Sequence, residues 1–335
     1  MPADPRPVDP PFPVTPATPR RVLVTGGCGF IGRHVVAELC AAGYAVTVLD
    51  NLATGERAAL AGLAAGCRVG DVREPGAVDA AMAGQDAVIH LAAAPDVAGA
   101  LRDPLANMTV NVAGSLTVLD AARRHGVAHV LAASSGGTVL GEQAQPVRAD
   151  GVPAPRSPLG AGKLAMEGYL GAYARSFGLA TATLRLANVY GPGCAHKSSV
   201  VARAMRRIAR GEAPVIHGDG SQARDFVYVG DVAAGIRRAL AAGATGTYQL
   251  GSGMPTRIGT LVEAVMDACG RPVPPPAYAP AAAGEVHTTY CDIAAARADF
   301  GFAPATPLAD GLARTWAWLI RTSASSDSGK VLGAR

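Results

Sequence analysis

The chain is nearly without lysine. Apart from Lys330, only Lys163 and Lys197 occur in 335 residues, and arginine carries the remaining positive charge. Paired cysteines are missing too. The six, at positions 28, 40, 67, 194, 269 and 291, form no C-x-x-C pair. That excludes a disulfide frame and a zinc ribbon, leaves no metal site to expect, and suits reduced thiols in a cytoplasm. No apolar run approaches the ~18 residues a membrane span requires. Charged residues are only 17% of the chain and the net charge is +4. The densest basic stretch, MRRIAR (205–210), has helical spacing and reads as a solvated helix face, so no nucleic-acid partner is expected. The first twenty residues hold eight prolines and no apolar h-region. Residues 1–20 therefore read as a disordered leader, not a signal peptide, and the polar stretch 322–335 reads as a loose tail.

What remains is an apolar, globular chain, 49% hydrophobic, long enough for one large or two moderate domains. From Arg21, β runs and helical stretches alternate. RVLVTG, AVTVLD, CRVGD, DAVIHLAA, AHVLAASS and ATATLRLANVYG are the β runs. Phe30–Ala42, Asp103–Arg124 and Leu159–Phe177 are the clearest helices. Such alternation implies α/β architecture, a doubly wound parallel sheet with right-handed crossovers. After Gly191 the alternation breaks into short strands and isolated helices at 198–210, 258–268 and 307–320. This predicts a smaller α/β lobe at 187–224 and 252–321, placed to take a substrate, beside a larger Rossmann-type domain at 21–186 to which 225–251 returns. No internal repeat is visible.

Between the first β run and the first helix, VTGGCGFIG places Gly26, Gly29 and Gly32 at G-x-x-G-x-x-G spacing. Glycines permit the tight turn and the close approach of a pyrophosphate, and the helix start supplies unpaired N–H groups. Asp50 ends the next β run. A carboxylate there accepts from the adenosine ribose and repels a 2′-phosphate, favouring NAD.

TGGCGFIG, LDNLATG, GDV (70–72), HLAA (90–93), NVAGS (111–115), NVYGPG (188–193) and GDGSQARDFVYVGDV (218–232) occur in this order. Together they resemble the extended short-chain dehydrogenase/reductase family, in particular its nucleotide-sugar epimerases and dehydratases, over about Arg21 to Ile320. The resemblance implies NAD as cofactor, a nucleotide-diphosphate sugar as substrate, and a homodimer built on the helices at 103–124 and 159–177. It sets Phe30 and Ile31 over the pyrophosphate, and Asp50, Asn51 and Leu52 at the adenosine ribose. Asp71 and Val72 fall at the adenine, with Leu91, Ala92, Ala93 and Asn111 along the groove. Asn188 and Arg224 match diphosphate ligands, and Glu285 matches a nucleoside-ribose ligand. Lys163 matches the lysine of the family's Y-x-x-x-K signature, which holds the nicotinamide ribose and lowers the pKa of the tyrosine base.

Three positions depart from the pattern. The tyrosine is Leu159, which can neither accept nor donate a proton. In SSGGTVLG (134–141) the hydroxyl that usually helps it is replaced by Gly136, and the tyrosine of V-Y-G is Leu140. An arginine that many members place on the diphosphate is Ala282. Losing one proton-transfer group costs ~10²–10⁴ in rate. Ser135, Thr138, Cys194, His196 and Lys197 are candidate replacements. Lys197 follows N-x-Y-G-P at the distance of a proton-transfer lysine in the GDP-mannose 3,5-epimerase branch, although Thr138 stands where that branch has its catalytic cysteine. Cys28 reads as a small filler. Three readings follow: a UDP-glucose 4-epimerase-like enzyme with an atypical acid/base set; a C5 or C3/C5 epimerase, dehydratase or reductase of a nucleotide sugar; or a non-catalytic NAD and nucleotide-sugar binder.

The position of Asp50 generates a first test. Calorimetric titration should show NAD bound more tightly than NADP, and Asp50→Ala should narrow the difference. Equal or tighter binding of NADP by the wild type contradicts the assignment.

Overall fold

The computed structural model describes residues 20–281 and 287–331, with side chains as far as 322. The strands are β1 Arg21–Thr25, β2 Ala45–Asp50, β3 Ala65–Val69, β4 Ala87–His90, β5 His129–Ser135, β6 Ala180–Leu186, β7 Asn188–Tyr190, β8 Val215–His217, β9 Ala223–Tyr228, β10 Gly246–Leu250, β11 Pro255–Arg257, β12 Ala277–Ala279 and β13 Thr288–Thr289. The α-helices are α1 Phe30–Ala41, α2 Pro75–Met82, α3 Val97–Arg102, α4 Pro104–Met108, α5 Gly114–Arg124, α6 Gly136–Leu140, α7 Pro158–Phe177, α8 Val200–Ala209, α9 Val229–Ala241, α10 Ile258–Cys269, α11 Ala294–Phe300 and α12 Leu308–Val331.

Seven parallel strands form the main sheet in the order β10-β6-β5-β4-β1-β2-β3. Its inner strands β1, β4, β5 and β6 are largely buried on both faces, as parallel sheets require, whereas the edge strand β3 is mostly exposed. One apolar layer joins α1, α9 and the stretch around Phe300 and Phe302 to the sheet. The other joins α2, α5 and α7. This is the expected doubly wound Rossmann sheet. A third apolar cluster links α8, α10 and α12 beside a small sheet of β11, β9, β13 and β7.

Several boundaries differ from the sequence reading. ATATLRLANVYG is two strands, because the Ala187 N–H bonds to Leu250 O at the sheet edge and β7 then pairs with β9 in the small sheet. The segment 225–251 is therefore divided: α9 and β10 join the large sheet, whereas β9 stays in the small one. Residues 291–302 sit against the large sheet although they lie inside the stretch read as substrate lobe. Phe300 meets the Tyr248 ring edge-on at 5.0 Å, and Phe302 fills the space left by Gly235 of α9. The single helix expected over 103–124 is broken. Pro104 starts α4 under an Asp103 cap, and a π-helical turn, Thr109–Ala113, separates it from α5. The loose tail expected from 322 is helical as far as Val331, since no proline interrupts the ladder and Gly329 is its only glycine there. The leader lies outside the described residues apart from Arg20.

A buried ion pair ties α7 to the main sheet. Arg185 on β6 donates to both oxygens of Glu167 on α7, at 3.0 and 2.7 Å, with the two side chains 5% and 8% exposed. Ser134 of β5 also donates to Glu167, and Arg185 reaches Ala149 O. Arg185→Met strands the carboxylate and should cost about 3–5 kcal/mol. Removing Glu167 as well should recover much of that loss. Denaturant midpoints of the single and double variants check both statements.

Candidate active site

The glycine loop crosses the carboxyl end of β1. Gly26 has φ +70°, and a Cβ there would lie 2.7 Å from Ala92 N. A Cβ on Gly32 would collide with Gly26 O. The loop is therefore a cradle that side chains would fill. The first turn of α1 has no acidic residue, and its cap Gly29 offers no side chain, so its N–H groups stay open to an anion. Asp50 is buried, and its two oxygens accept from Cys28 N (2.9 Å) and Leu52 N (2.8 Å). These features fit a dinucleotide.

Phe30 is the first residue of α1 and buried; Ile31 lines the central cleft. Asn51 donates to Asp71 at 2.8 Å. Hydrogen bonds from the Arg73 guanidinium hold the Asp71 carboxyl well below the usual range. Val72 is buried. Leu91 and Ala93 line the cleft, and Ala92 N approaches Thr25 Oγ1 at 3.3 Å. Asn111 is placed differently from the sequence reading. Its amide accepts from Ala94 N and donates to Ala94 O and Asn107, so it holds the groove wall from behind.

A support that the sequence does not announce runs through His90. Ser115 Oγ donates to Asn111 O at 2.7 Å, so it accepts from His90 Nε2 at 2.9 Å. His90 Nδ1 then accepts from Thr25 Oγ1 at 2.7 Å. Burial lowers the histidine pKa to about 3, so the ring is neutral.

The cleft has a volume of about 420 Å³, within the usual range for a small-molecule site. Leu91, Ala133–Ser135 and Leu186–Asn188 line it, placing it beyond the carboxyl ends of β4, β5 and β6. Parallel sheets bind ligands at such ends. Lys163 enters from α7. Its ammonium donates to Ala133 O at 2.8 Å. Burial pulls its pKa down to about 8 against the opposing charge of Glu167. Leu159, one turn earlier, is 5% exposed and lines the same cleft.

Ser135 and Thr138 line it as well. Ser135 Oγ caps α6 by accepting from Thr138 N at 3.4 Å. The Thr138 hydroxyl is buried and has no hydrogen-bond partner among the described residues. Its carbonyl lies so close to Gly160 that no Cβ fits between them. Thr138 therefore abuts the turn that carries Leu159.

Gly136 is not an empty slot waiting for a hydroxyl. A Cβ there would come within 2.5 Å of Gln249 Oε1. Gln249 is itself buried and bonded to Val147 O and Cys291. Leu140 is fully buried in a cluster with Val139 and Val147.

Asn188 and Arg224 both face the cleft. Asn188 donates to Asp225 O, and Arg224 donates to the carbonyls of Ala223 and His287. Lys197 lines the cleft, whereas His196 is exposed and is not among the lining residues. Cys194 is buried beneath the loop. Cys28 is fully buried beside Cys67, and burial pushes its thiol up to about 12, consistent with a filler. Glu285 and Ala282 lie outside the described residues. Ser199, Arg203, His217 and Gln222 also line the cleft; no motif picks them out, because they converge only through the fold. Glu167 was legible in principle, one helical turn after Lys163. Among the described residues, no cluster of His, Cys, Asp and Glu could hold a metal, and no helix is long and apolar enough to cross a membrane.

The sequence profile of the NAD dependent epimerase/dehydratase family matches residues 22–251. A UDP-glucose 4-epimerase of Mycolicibacterium smegmatis is 36% identical over 305 residues, covering 88% of this chain and 97% of that protein. The UDP-glucose 4-epimerase of Thermotoga maritima, solved with UDP-glucose, superposes with a TM-score of 0.85 at 34% identity, over 90% of this chain and 99% of that one. The Thermus thermophilus UDP-glucose 4-epimerase, solved with NAD, gives a TM-score of 0.82 at 36% identity over the same shares. With the glycine cradle, Asp50 and the cleft in place, the chain belongs to the NAD dependent epimerase/dehydratase family, and NAD is its cofactor.

Proposed function

We propose that the protein is a nucleotide-sugar 4-epimerase of the UDP-glucose 4-epimerase kind in which Lys163, not a tyrosine, carries the proton. One observation carries this reading: Lys163, Leu159 and Thr138, whose buried hydroxyl has no partner among the described residues, line one cleft. Bound NAD would supply the hydride acceptor and donor. Gly26, Gly29, Gly32 and Asp50 would hold it, and Arg224 and Asn188 would hold the sugar-nucleotide diphosphate, a task suited to a planar guanidinium.

Leu159 makes one wall apolar. Exclusion of water by that wall and by Leu186 favours the uncharged amine of Lys163. The free amine accepts the proton of a sugar hydroxyl to become the ammonium, then returns it. Thr138 Oγ1, without a partner among the described residues, would orient that hydroxyl or relay the proton after its side chain turns toward the cleft. The exposed His196 is a weaker candidate for this work.

A second copy of the chain is the partner this reading adds. Leu101, Leu105, Met108, Tyr169 and Phe177 are large, apolar and exposed on α3, α4 and α7, and α4 packs on α7. Large apolar side chains exposed on helices that pack together favour association. Sedimentation should show a dimer, and Leu105→Asp should shift it toward monomer. A wild type that sediments as monomer at micromolar concentration rejects the dimer.

The activity test is direct. UDP-, GDP-, dTDP- and ADP-sugars are incubated with the protein in D₂O, and products are followed by NMR. Inversion without deuterium at carbon is expected for at least one sugar; deuterium at carbon points instead to the C5 or C3/C5 epimerase reading. Because the amine is the active form, the rate should rise with pH and level off above about 8. Lys163→Met should lower the rate by ~10²–10⁴. Leu159→Tyr should weaken the dependence on the amine by offering a phenol. Binding of NAD and UDP without turnover of any sugar rejects the enzyme and leaves a binding protein.

A further inference from the structure

Lys197 sits at a junction. Its ammonium lies 4.9 Å from the centroid of the Phe30 ring, and Phe30 opens α1 directly after the glycine loop. The same side chain lines the cleft that also holds Asn188 and Arg224. The loop carrying it is fixed at several points. Lys197 N donates to Cys194 O at 2.9 Å, and Arg206 donates to the carbonyls of Lys197 and Ala195. His34 of α1 donates through Nε2 to Pro192 O at 2.8 Å, tying the loop to the glycine-loop helix.

What the loop holds in place is a cation without a counter-charge. Among the described residues, no carboxylate or carbonyl pairs with the Lys197 ammonium. The adjacent His196, whose pKa burial lowers, is pushed down further by Lys197, Arg33 and Arg206, with the Glu56 carboxylate opposing them. Burial also lowers the pKa of Lys197 itself. A partly desolvated ammonium in such a place is stabilised when an anion arrives. Two residues on, Ser199 caps α8 without using its hydroxyl. That hydroxyl is buried and has no partner among the described residues, and Ser199 belongs to the same cleft lining. Lys197 and Ser199 thus line one cleft, and the Lys197 ammonium stands where that cleft meets the start of α1.

We propose that Lys197 is a shared counter-charge, binding both the cofactor pyrophosphate at the α1 N-terminus and the diphosphate of a nucleoside-diphosphate substrate, and that it moves no proton. An ammonium suits this task because its three donors can reach oxygens of two different groups. The substrate half rests on the nucleotide-sugar reading above; the cofactor half rests on the glycine loop alone. The assignment also gives the chain a cation for the diphosphate where Ala282 has removed one from the family pattern.

The test is calorimetric titration of the full chain with NAD, and separately with UDP, GDP, dTDP and ADP. Lys197→Met should weaken NAD and the preferred nucleoside diphosphate by about tenfold or more each. Lys197→Arg, a cation that cannot release its proton, should keep both within about threefold and should retain turnover. Lys197→Met binding either ligand as tightly as wild type overturns the proposal. So does a Lys197→Arg protein that binds both ligands but has lost turnover, because that result returns Lys197 to proton transfer. If the wild type binds none of the four nucleoside diphosphates, the nucleotide-sugar reading fails, and the NAD titrations alone decide on Lys197.

Discussion

The ion pair between Arg185 and Glu167 is the constraint on which the active-site side of the fold depends. It joins β6, β5 through Ser134, the segment at Ala149, and α7. A buried carboxylate with this many donors cannot move without stranding charge, so α7 is fixed in rotation and height against the sheet. Leu159 and Lys163 lie two turns and one turn before it on the same helix. Their place in the cleft follows from a contact that never touches a ligand. The pair has a chemical consequence as well. Glu167 spends both oxygens on Arg185 and Ser134, so it gives Lys163 only distant charge and no hydrogen bond. Desolvation therefore dominates at Lys163, and the amine becomes accessible near neutral pH.

The cofactor half of the site was legible because local chemistry dictates it. Gly26 and Gly32 are glycines because backbone atoms of Ala92 and of Gly26 itself occupy the Cβ positions, and Asp50 ends a strand that its neighbours place beside the loop. Periodicity likewise revealed α1, α7 and the strands of the main sheet. It failed where a long-range contact overrides a local pattern. The β run ending NVYG reads as one strand, yet the Leu250 carbonyl captures Ala187 and frees β7 for the small sheet. Residues 291–302 look like part of the second lobe, but the aromatic side chains of Phe300 and Phe302 find their partners on β10 and α9. The break between α4 and α5 escaped because every residue of Thr109–Ala113 is compatible with an ordinary helix. The turn exists to bring Asn111 against both polar atoms of Ala94.

The substrate half was legible only as a set of candidates. Spacing brought Ser135, Thr138, His196 and Lys197 to notice, but it could not rank them. The fold ranks them by what each side chain is already doing. Ser135 spends its hydroxyl on the α6 cap, whereas Thr138 and Ser199 keep theirs unused in buried places. An unsatisfied buried hydroxyl costs roughly 1–3 kcal/mol, so these two stay available to a partner that the described residues do not supply. His196 and Lys197 are adjacent in sequence and divided in space, one exposed and one lining the cleft.

The two departures nearest the reaction are also unlike each other. Leu159 faces the cleft, so the loss of the phenol there is a change of chemistry inside an otherwise intact groove. Gly136 faces the protein interior, where Gln249 fills the space and is locked by Val147 and Cys291. Restoring a hydroxyl at 136 would therefore disturb packing before it served any proton. A phenol returned at 159 would find Lys163 one turn away and the Thr138 hydroxyl beside it, but no help from position 136. The surroundings of Leu159 have closed around its present form on one side while remaining open on the other. That asymmetry favours a proton path through Lys163 and Thr138 over a dormant copy of the tyrosine arrangement.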